Sequence, residues 1–189
     1  MKKKLYLMRH GQTLFNCQNK IQGWCDSPLI EEGIRQAQKA ARILKERGVA
    51  FDHAYSSTAE RCCDTLEIVT DRPYTRCKGL KEQFYGELEG ESERLNRHLT
   101  PKDCETFYLQ YGGESSNTTK ERMVKTLTRI MERPDHESVL AVSHSGACYN
   151  FLRHWQDPAE ELKKGFSNCT IFVYDFEDVF FSLNEVIRP

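Results

Sequence analysis

The sequence predicts a single α/β domain in three layers, in which helices cover both faces of a mostly parallel sheet. Short apolar runs at residues 5–8 and 138–143 are typical of strands that are buried on both faces. Segments with helical periodicity alternate with the strand-like runs, as they do in parallel α/β folds. A length of 189 residues is enough for one domain with a substantial core.

The composition limits the classes of partner. The formal net charge is −1, so the chain lacks the basic surplus typical of proteins that bind nucleic acid or anionic membranes. The eight cysteines include no CxxC pair, which argues against a zinc site. Lysines at residues 2–4 precede only four apolar residues, too few for a signal peptide, and no apolar run approaches a membrane span. We therefore expect a cytoplasmic protein with reduced thiols and no nucleic-acid or membrane partner.

A long loop and an amphipathic helix follow the first strand. The loop covers residues 12–30, and loops of this length are often functional. The helix is predicted over residues 31–47, and Gly48 is expected to end it. Its predicted apolar stripe consists of Ile34, Ala37, Ala41 and Leu44.

The remaining elements are predicted from similar patterns. Ser57 to Glu60 have the spacing of a capping box, which predicts a helix that begins at about Thr58. Residues 81–113 mix charges, glycines and aromatics, so we expect an insertion of short helices over the sheet edge, with a cap-like part at about 91–113. We further expect strands at 52–55, 75–80 and 138–143, a helix at 115–133, and a second helix that follows His144-Ser145-Gly146 and ends at about Trp155. A hairpin of 170–176 and 179–186 is expected to turn at 177–178.

Charged and titratable residues follow three of the predicted strands. Arg9 and His10 follow the first strand, His144 follows the strand at 138–143, and Arg61 lies near the start of the helix after the strand at 52–55. Ligands of open α/β sheets bind beyond the carboxyl ends of the strands, which share one edge. Two arginines and two histidines at that edge suit a phosphoryl group, although an isolated Arg-His-Gly is equally consistent with a hydrogen-bonded strand end.

Six short motifs follow one another along nearly the whole chain. They are Arg9-His10-Gly11-Gln12-Thr13 with Asn16, the loop Gln22-Gly23-Trp24-Cys25-Asp26-Ser27-Pro28-Leu29, Ser56-Ser57 with Arg61 and Thr65, Glu82 with Tyr85-Gly86 and Leu88-Glu89-Gly90, Gly112-Gly113-Glu114-Ser115, and Ser143-His144-Ser145-Gly146. Their order resembles that of the histidine phosphatase superfamily, also called the phosphoglycerate mutase-like family. Two positions depart from the family pattern. Ile30 stands where a capping threonine or serine is common, and Ser145 stands where glycine is common.

The resemblance implies a role for each matched residue. His10 would attack phosphorus and form a phosphohistidine, while Arg9, Arg61 and His144 hold the phosphoryl oxygens. Glu82 would protonate the leaving group and then activate water, with Glu87, Glu89 and Glu91 as competing carboxylates. The remaining substrate- or phosphate-binding candidates are Asn16, Gln22, Gly23 and Ser145. No metal and no cofactor is expected.

The same resemblance leaves three functions open. The leading one is hydrolysis of a small phosphorylated metabolite. A cofactor-dependent phosphoglycerate mutase uses the same residues, but Gly90 and Gly112 are only 22 positions apart, a short insertion that favours the phosphatase. A catalytically silent phosphate-binding protein is the third. Substrate selection is expected from the segment at 91–111, with candidates Arg94, Arg97, Lys102, Phe107, Tyr108 and Tyr111.

Overall fold

The computed structural model describes residues 2–96, 98–100 and 102–189, and it contains a six-stranded sheet. The strands are β1 (Lys3–Arg9), β2 (His53–Ser57), β3 (Tyr74–Cys77), β4 (Ser138–Ser143), β5 (Ile171–Glu177) and β6 (Phe180–Ile187), in the spatial order β3-β2-β4-β1-β5-β6. The first four are parallel, β5 is antiparallel to β1, and β6 is antiparallel to β5. The expected single α/β domain with a mostly parallel sheet is thus confirmed.

The helices lie on both faces of this sheet. They are α1 (Leu14–Cys17), α2 (Glu31–Glu46), α3 (Glu60–Val69), α4 (Ser116–Met131), α5 (Ser145–Trp155) and α6 (Ala159–Lys164). Alternate residues of β1 enter different cores: Leu5 and Leu7 pack with α4 and α5, whereas Tyr6 and Met8 pack with α2 and α3. Because successive strand side chains point to opposite faces, a strand covered on both sides has an unbroken apolar sequence. None of the described helices is long and apolar enough to cross a membrane.

Helix α2 buries a different stripe from the predicted one. Its buried residues are Gly33, Ala37, Ala40 and Leu44, while Ile34 is 38% exposed. The reason is a close approach of two backbones, since a Cβ on Gly33 would lie 2.1 Å from the carbonyl oxygen of Gln12. This contact turns the glycine side of the helix toward the loop after β1. Ile30 occupies the N-cap without a side-chain hydrogen bond, as its departure from the family pattern suggested.

The start of α3 was predicted two residues too early. The helix begins at Glu60, and Ser57 is the last residue of β2. The Ser57 hydroxyl accepts a hydrogen bond from the Ala59 backbone N–H at 3.3 Å and also contacts His144. Ser57 is therefore part of the end of β2 and does not cap α3.

Other elements also differ from the predictions. The strand expected at 75–80 ends at Cys77, and a 3₁₀ turn follows at Lys78–Leu80. The hairpin turns one residue later than expected, at Asp178 and Val179, which both have positive φ as a two-residue hairpin turn requires. Helix α6 was not predicted. The segment at 81–113 forms single 3₁₀ turns at Gly86–Leu88, Glu93–Leu95, Asp103–Glu105 and Phe107–Tyr111.

Candidate active site

A polar pocket of about 280 Å³ opens beyond the carboxyl ends of β1 and β4. Six of the nine predicted site residues line it: Arg9, His10, Asn16, Gln22, Glu82 and Ser145. The other three do not line the pocket. Arg61 and His144 are buried against His10, and Gly23 contacts Arg61 through its carbonyl oxygen. The three strand ends that the sequence placed at one edge therefore do converge.

His10 is held in one tautomer by the backbone. Its Nδ1 lies 2.8 Å from the carbonyl oxygen of Gly11, which can only accept, so Nδ1 carries the proton. The lone pair is then on Nε2, which accepts a hydrogen bond from Nε of Arg61 at 3.3 Å. Burial, together with the charges of Arg61 and Arg9, lowers the pKa of His10 well below its ordinary value. The imidazole is consequently neutral and suited to nucleophilic attack.

Arg61 connects the loop after β1 with both histidines. The side chain is completely buried, and it donates to the Cys25 carbonyl oxygen at 2.9 Å and to Asp26 Oδ1 at 2.8 Å. Its other terminal nitrogen donates to the Gly23 carbonyl oxygen at 2.8 Å and to His144 Nδ1 at 2.9 Å. These contacts fix a positive charge beneath His10.

His144 lies against both Arg61 and His10. Because its Nδ1 accepts from Arg61, its Nε2 carries the proton and donates to the Ser57 hydroxyl at 2.8 Å. The His10 and His144 rings form an edge contact with centroids 5.3 Å apart. Burial, followed by the charge of Arg61, lowers the pKa of His144 well below its ordinary value, so this histidine is neutral too.

Glu82 is a buried carboxyl group in the wall of the pocket. It is only 4% exposed, and burial raises its pKa above the ordinary value against the opposing effect of two backbone N–H donors. These donors are Gln83 N, 2.9 Å from Oε1, and Gly146 N, 2.8 Å from Oε2. Trp24 Nε1 and Arg122 also donate to the Glu82 carbonyl oxygen, at 3.0 and 3.1 Å. The arrangement produces a positioned carboxyl group that holds its proton more strongly than a solvated one.

The other residues in the pocket wall contribute hydrogen-bonding groups and positive charge. Asn16 Oδ1 accepts from Thr13 N at 3.2 Å and from Asn168 Nδ2 at 3.3 Å, which leaves the Asn16 amide nitrogen for the pocket. The Gln22 side chain is bonded to Thr13 and Ser27. Arg9 donates to the Phe166 carbonyl oxygen, and its Nε is buried without a partner among the described residues. Ser145 begins α5, whose N-terminus favours anions.

Glu89 was an alternative to Glu82 as the proton donor in the sequence, but its carboxylate has a different role in the structure. Its carboxylate accepts four backbone N–H groups, from Gly23, Trp24, Cys25 and Tyr85, at 2.8 to 3.1 Å. Glu89 thereby joins the loop that holds Arg61 to the segment that follows Glu82. Sequence reasoning missed this function, although the residue stands inside a quoted motif. Glu87 and Glu91 are exposed.

Among the described residues, those expected to select the substrate do not line this pocket. Arg94 and Lys102 are exposed, and Tyr108 is buried beneath Tyr85, with ring centroids 4.6 Å apart. Arg97 lies outside the described residues. The rest of the pocket is instead lined by residues that the sequence had not singled out for this role, namely Lys20, Ile21, Tyr85, Glu93, Asn96 and Gly146.

The fold and the site define an α/β protein in which two neutral, buried histidines and two positively charged arginines lie at the strand ends of a mostly parallel sheet. The family model of the histidine phosphatase superfamily (branch 1) matches residues 5–187. The chain therefore belongs to the histidine phosphatase superfamily, as the order of its motifs suggested.

Relatives within this family carry both mutase and phosphatase names. Over 94 residues the chain is 43% identical to the 2,3-bisphosphoglycerate-dependent phosphoglycerate mutase of Bacteroides fragilis, a match that covers 47% of this chain and only 38% of the relative. The solved phosphoserine phosphatase of Entamoeba histolytica, in complex with 3-phosphoglyceric acid, is 25% identical with a TM-score of 0.80, and the match covers 98% of this chain and 97% of that chain. The α-ribazole phosphatase of Shigella flexneri is 26% identical with a TM-score of 0.77, over 96% and 94% of the two chains.

Proposed function

We propose that this protein is a phosphomonoester hydrolase that acts on a small phosphorylated metabolite through a phosphohistidine at His10. The observation that carries the proposal is the pairing of groups in the pocket: a neutral imidazole with its Nε2 lone pair free of a proton, and a buried carboxyl group with a raised pKa. Phosphatase names on solved relatives that align over nearly the whole chain support it.

The proposed reaction has two steps. In the first, the lone pair of His10 Nε2 forms a bond to phosphorus, the bond from phosphorus to the ester oxygen breaks, and Glu82 gives its proton to that oxygen. In the second, Glu82 takes a proton from water, the water oxygen bonds to phosphorus, and the electron pair of the P–N bond returns to Nε2. Arg9, Arg61 and the N-terminus of α5 offset the charge on the phosphoryl oxygens, with His144 beside Arg61. No step requires a metal ion.

The mutase is the rival reaction, and the Bacteroides fragilis relative favours it. Both reactions share the phosphohistidine and differ in the acceptor. A hydrolase passes the phosphoryl group to water, whereas a mutase passes it to phosphoglycerate. The short insertion between Gly90 and Gly112 supports the hydrolase, because a mutase must keep water away from its intermediate.

The test is to trap the intermediate and identify its acceptor. We expect p-nitrophenyl phosphate to leave acid-labile phosphate on the wild-type protein, and His10→Ala to abolish both trapping and turnover, with kcat/KM at least about 100-fold lower. His98→Ala, at an exposed histidine, is the matched control and should behave as wild type. Turnover by His10→Ala above that limit contradicts the assignment of the nucleophile. Transfer to 3-phosphoglycerate that is faster than transfer to water selects the mutase.

A further inference from the structure

Two histidines and one aspartate form a cluster at the end of the sheet opposite the candidate active site. His53 is the first residue of β2, and Asp135 and His136 lie in the connection between α4 and β4. One candidate ligand atom from each of these residues lies within 4.8 Å of the other two. The active-site pocket lies beyond the other end of β4, which has six residues and therefore a length of about 20 Å. The cluster is thus separate from the active site.

The Asp135 carboxylate lies between the two imidazole rings. His53 Nε2 lies 2.9 Å from Asp135 Oδ2, and His136 Nδ1 lies 2.9 Å from Asp135 Oδ1. The two rings are stacked, with centroids 3.7 Å apart and planes inclined by 13°. Both rings therefore direct one nitrogen at the same carboxylate. Two imidazole nitrogens and a carboxylate oxygen form a donor set that suits Zn²⁺.

His136 is anchored by a partner on the other side of its ring. Its side chain is buried, and Nε2 lies 2.7 Å from the hydroxyl oxygen of Tyr55, to which the Arg133 guanidinium donates at 3.0 Å. A hydroxyl oxygen has two lone pairs, so it can accept from Arg133 and from Nε2–H together. A histidine that binds a metal ion usually donates its second ring N–H to such a partner. This arrangement leaves Nδ1 for the ion and keeps the Arg133 charge on the Nε2 side.

Backbone hydrogen bonds hold the two histidine-bearing segments together. Asp52 Oδ2 accepts from Glu137 N at 2.7 Å and from Ser138 N at 2.8 Å, and Asp52 N donates to the Ser138 carbonyl oxygen at 3.0 Å. Asp52 directly precedes His53, and Glu137 directly follows His136. The ligands are therefore positioned before an ion arrives, which lowers the entropy cost of binding.

We propose that His53, Asp135 and His136 form a structural binding site for a divalent transition metal ion, best suited to Zn²⁺, with water completing the coordination. The Asp135 side chain is 65% exposed, so the site is open to solvent. Tetrahedral Zn²⁺ with ligands at about 2.0–2.1 Å separates its donor atoms by about 3.3–3.4 Å, so the donors of the cluster need only small shifts to reach it. The ion would join the start of β2 to the connection before β4, and the proposal does not depend on the proposed function.

Calorimetric titration of the metal-free protein with ZnCl₂ tests the ligands. We expect His53→Gln and Asp135→Asn each to weaken Zn²⁺ binding at least about 10-fold, and both side chains reach the surface, so the variants should fold. His98→Gln, at an exposed histidine, is the matched control and should bind as wild type does. Tyr55→Phe keeps all three ligands but removes the partner of His136, and it should weaken binding about 10–100-fold.

X-ray absorption distinguishes this site from binding to the free cysteines. The proposed site gives a first shell of nitrogen and oxygen at about 2.0–2.1 Å, whereas thiolates give sulfur at about 2.3 Å. At a Zn²⁺ concentration about 100 times Kd, Tm should rise by about 5–10 °C in the wild type and in His98→Gln, and this rise should be lost in His53→Gln. A sulfur shell, unchanged affinity in both ligand variants, or no binding by the wild-type protein would overturn the proposal.

Discussion

At the residue scale, four glutamates that lie close together in the sequence after Leu80 differ in burial and in hydrogen bonding. Glu82 is buried with a raised pKa, and Glu89 is used by four backbone N–H groups. Glu87 and Glu91 are exposed to water. A proton donor must hold its proton more strongly than a solvated carboxyl group does, and burial raises the pKa of Glu82 in that direction against the charges of Arg61 and Arg122. Glu82 is therefore the carboxyl group best suited to protonate a leaving group.

The role of Glu82 predicts a dependence on the leaving group. Glu82→Gln should lower kcat/KM for alkyl phosphates by about 10²–10⁴-fold, because an alkoxide needs a proton. The phosphorylation step with p-nitrophenyl phosphate should slow by less than about 10-fold, since nitrophenolate leaves unaided. Without its base the second step should stall, so a nitrophenol burst and accumulated phosphohistidine are expected in rapid-quench experiments. Glu87→Gln is the control, and equal losses for both kinds of ester with no burst would rule out Glu82 as the acid.

At the scale of elements, the start of α5 and the Glu82 segment determine each other's position. The Gly146 N–H binds the carboxylate, and a Cβ added to Gly146 would lie 2.7 Å from Glu82 Oε1. Glycine is required here because the carboxylate approaches the backbone closely, and not because of an unusual backbone conformation, since φ at Gly146 is not positive. The helix itself is anchored by Ala147, Cys148 and Phe151 in the core, so the carboxylate is the group that must shift.

This contact predicts the effect of a single methyl group. Gly146→Ala should lower kcat by about 10–100-fold through displacement of Glu82 and destabilise the fold by about 1–3 kcal/mol. Gly165→Ala is the matched control, because Gly165 has φ of 76° with nothing within 4 Å of the added Cβ. It should cost stability through backbone strain while kcat stays at the wild-type value. Thermal unfolding and steady-state kinetics on both variants check this, and a fully active Gly146→Ala protein would contradict it.

At the scale of the whole molecule, the neutral buried histidines tie the stability of the fold to pH. His10 and His144 resist protonation in the folded protein, whereas in the unfolded chain they bind protons below about pH 6.5. The unfolded state then holds more protons, so their contribution to stability is present above pH 6.5 and is lost as pH falls toward the lower folded-state pKa. Glu82 acts in the opposite sense, because its raised pKa contributes stability that is lost as pH rises through the folded-state value.

The histidine contribution is measurable as a slope. Between pH 6.5 and 5 the free energy of unfolding should fall with decreasing pH, and His10→Gln or His144→Gln should reduce that slope by up to about 1.4 kcal/mol per pH unit. The exposed His98→Gln control should leave the slope unchanged. Urea unfolding at several pH values tests this, and identical slopes in all four proteins would show that neither buried histidine is responsible.

The sequence by itself determined the fold class and the edge of the sheet where the pocket lies. Those features depend on local information. An unbroken apolar run such as that of β1 requires cover on both faces, because successive side chains point to opposite faces, and residues that directly follow parallel strands must meet at one edge. For the same reason Arg9, His10 and His144 were located from their positions alone. The helix boundaries were less well determined, since a local motif such as Ser57 to Glu60 competes with longer-range contacts.

Only the tertiary structure decided which polar groups are buried and what each one contacts. The buried stripe of α2 differs from the predicted one because Gly33 packs on Gln12. Glu89 connects two loops because four backbone N–H groups converge on its carboxylate. The pocket is lined by Lys20 and Glu93 and not by the residues expected to select the substrate. Each outcome depends on segments distant in the chain that approach within a few ångströms. Periodicity and motif spacing describe one segment at a time, whereas burial and electrostatic environment depend on what packs against it.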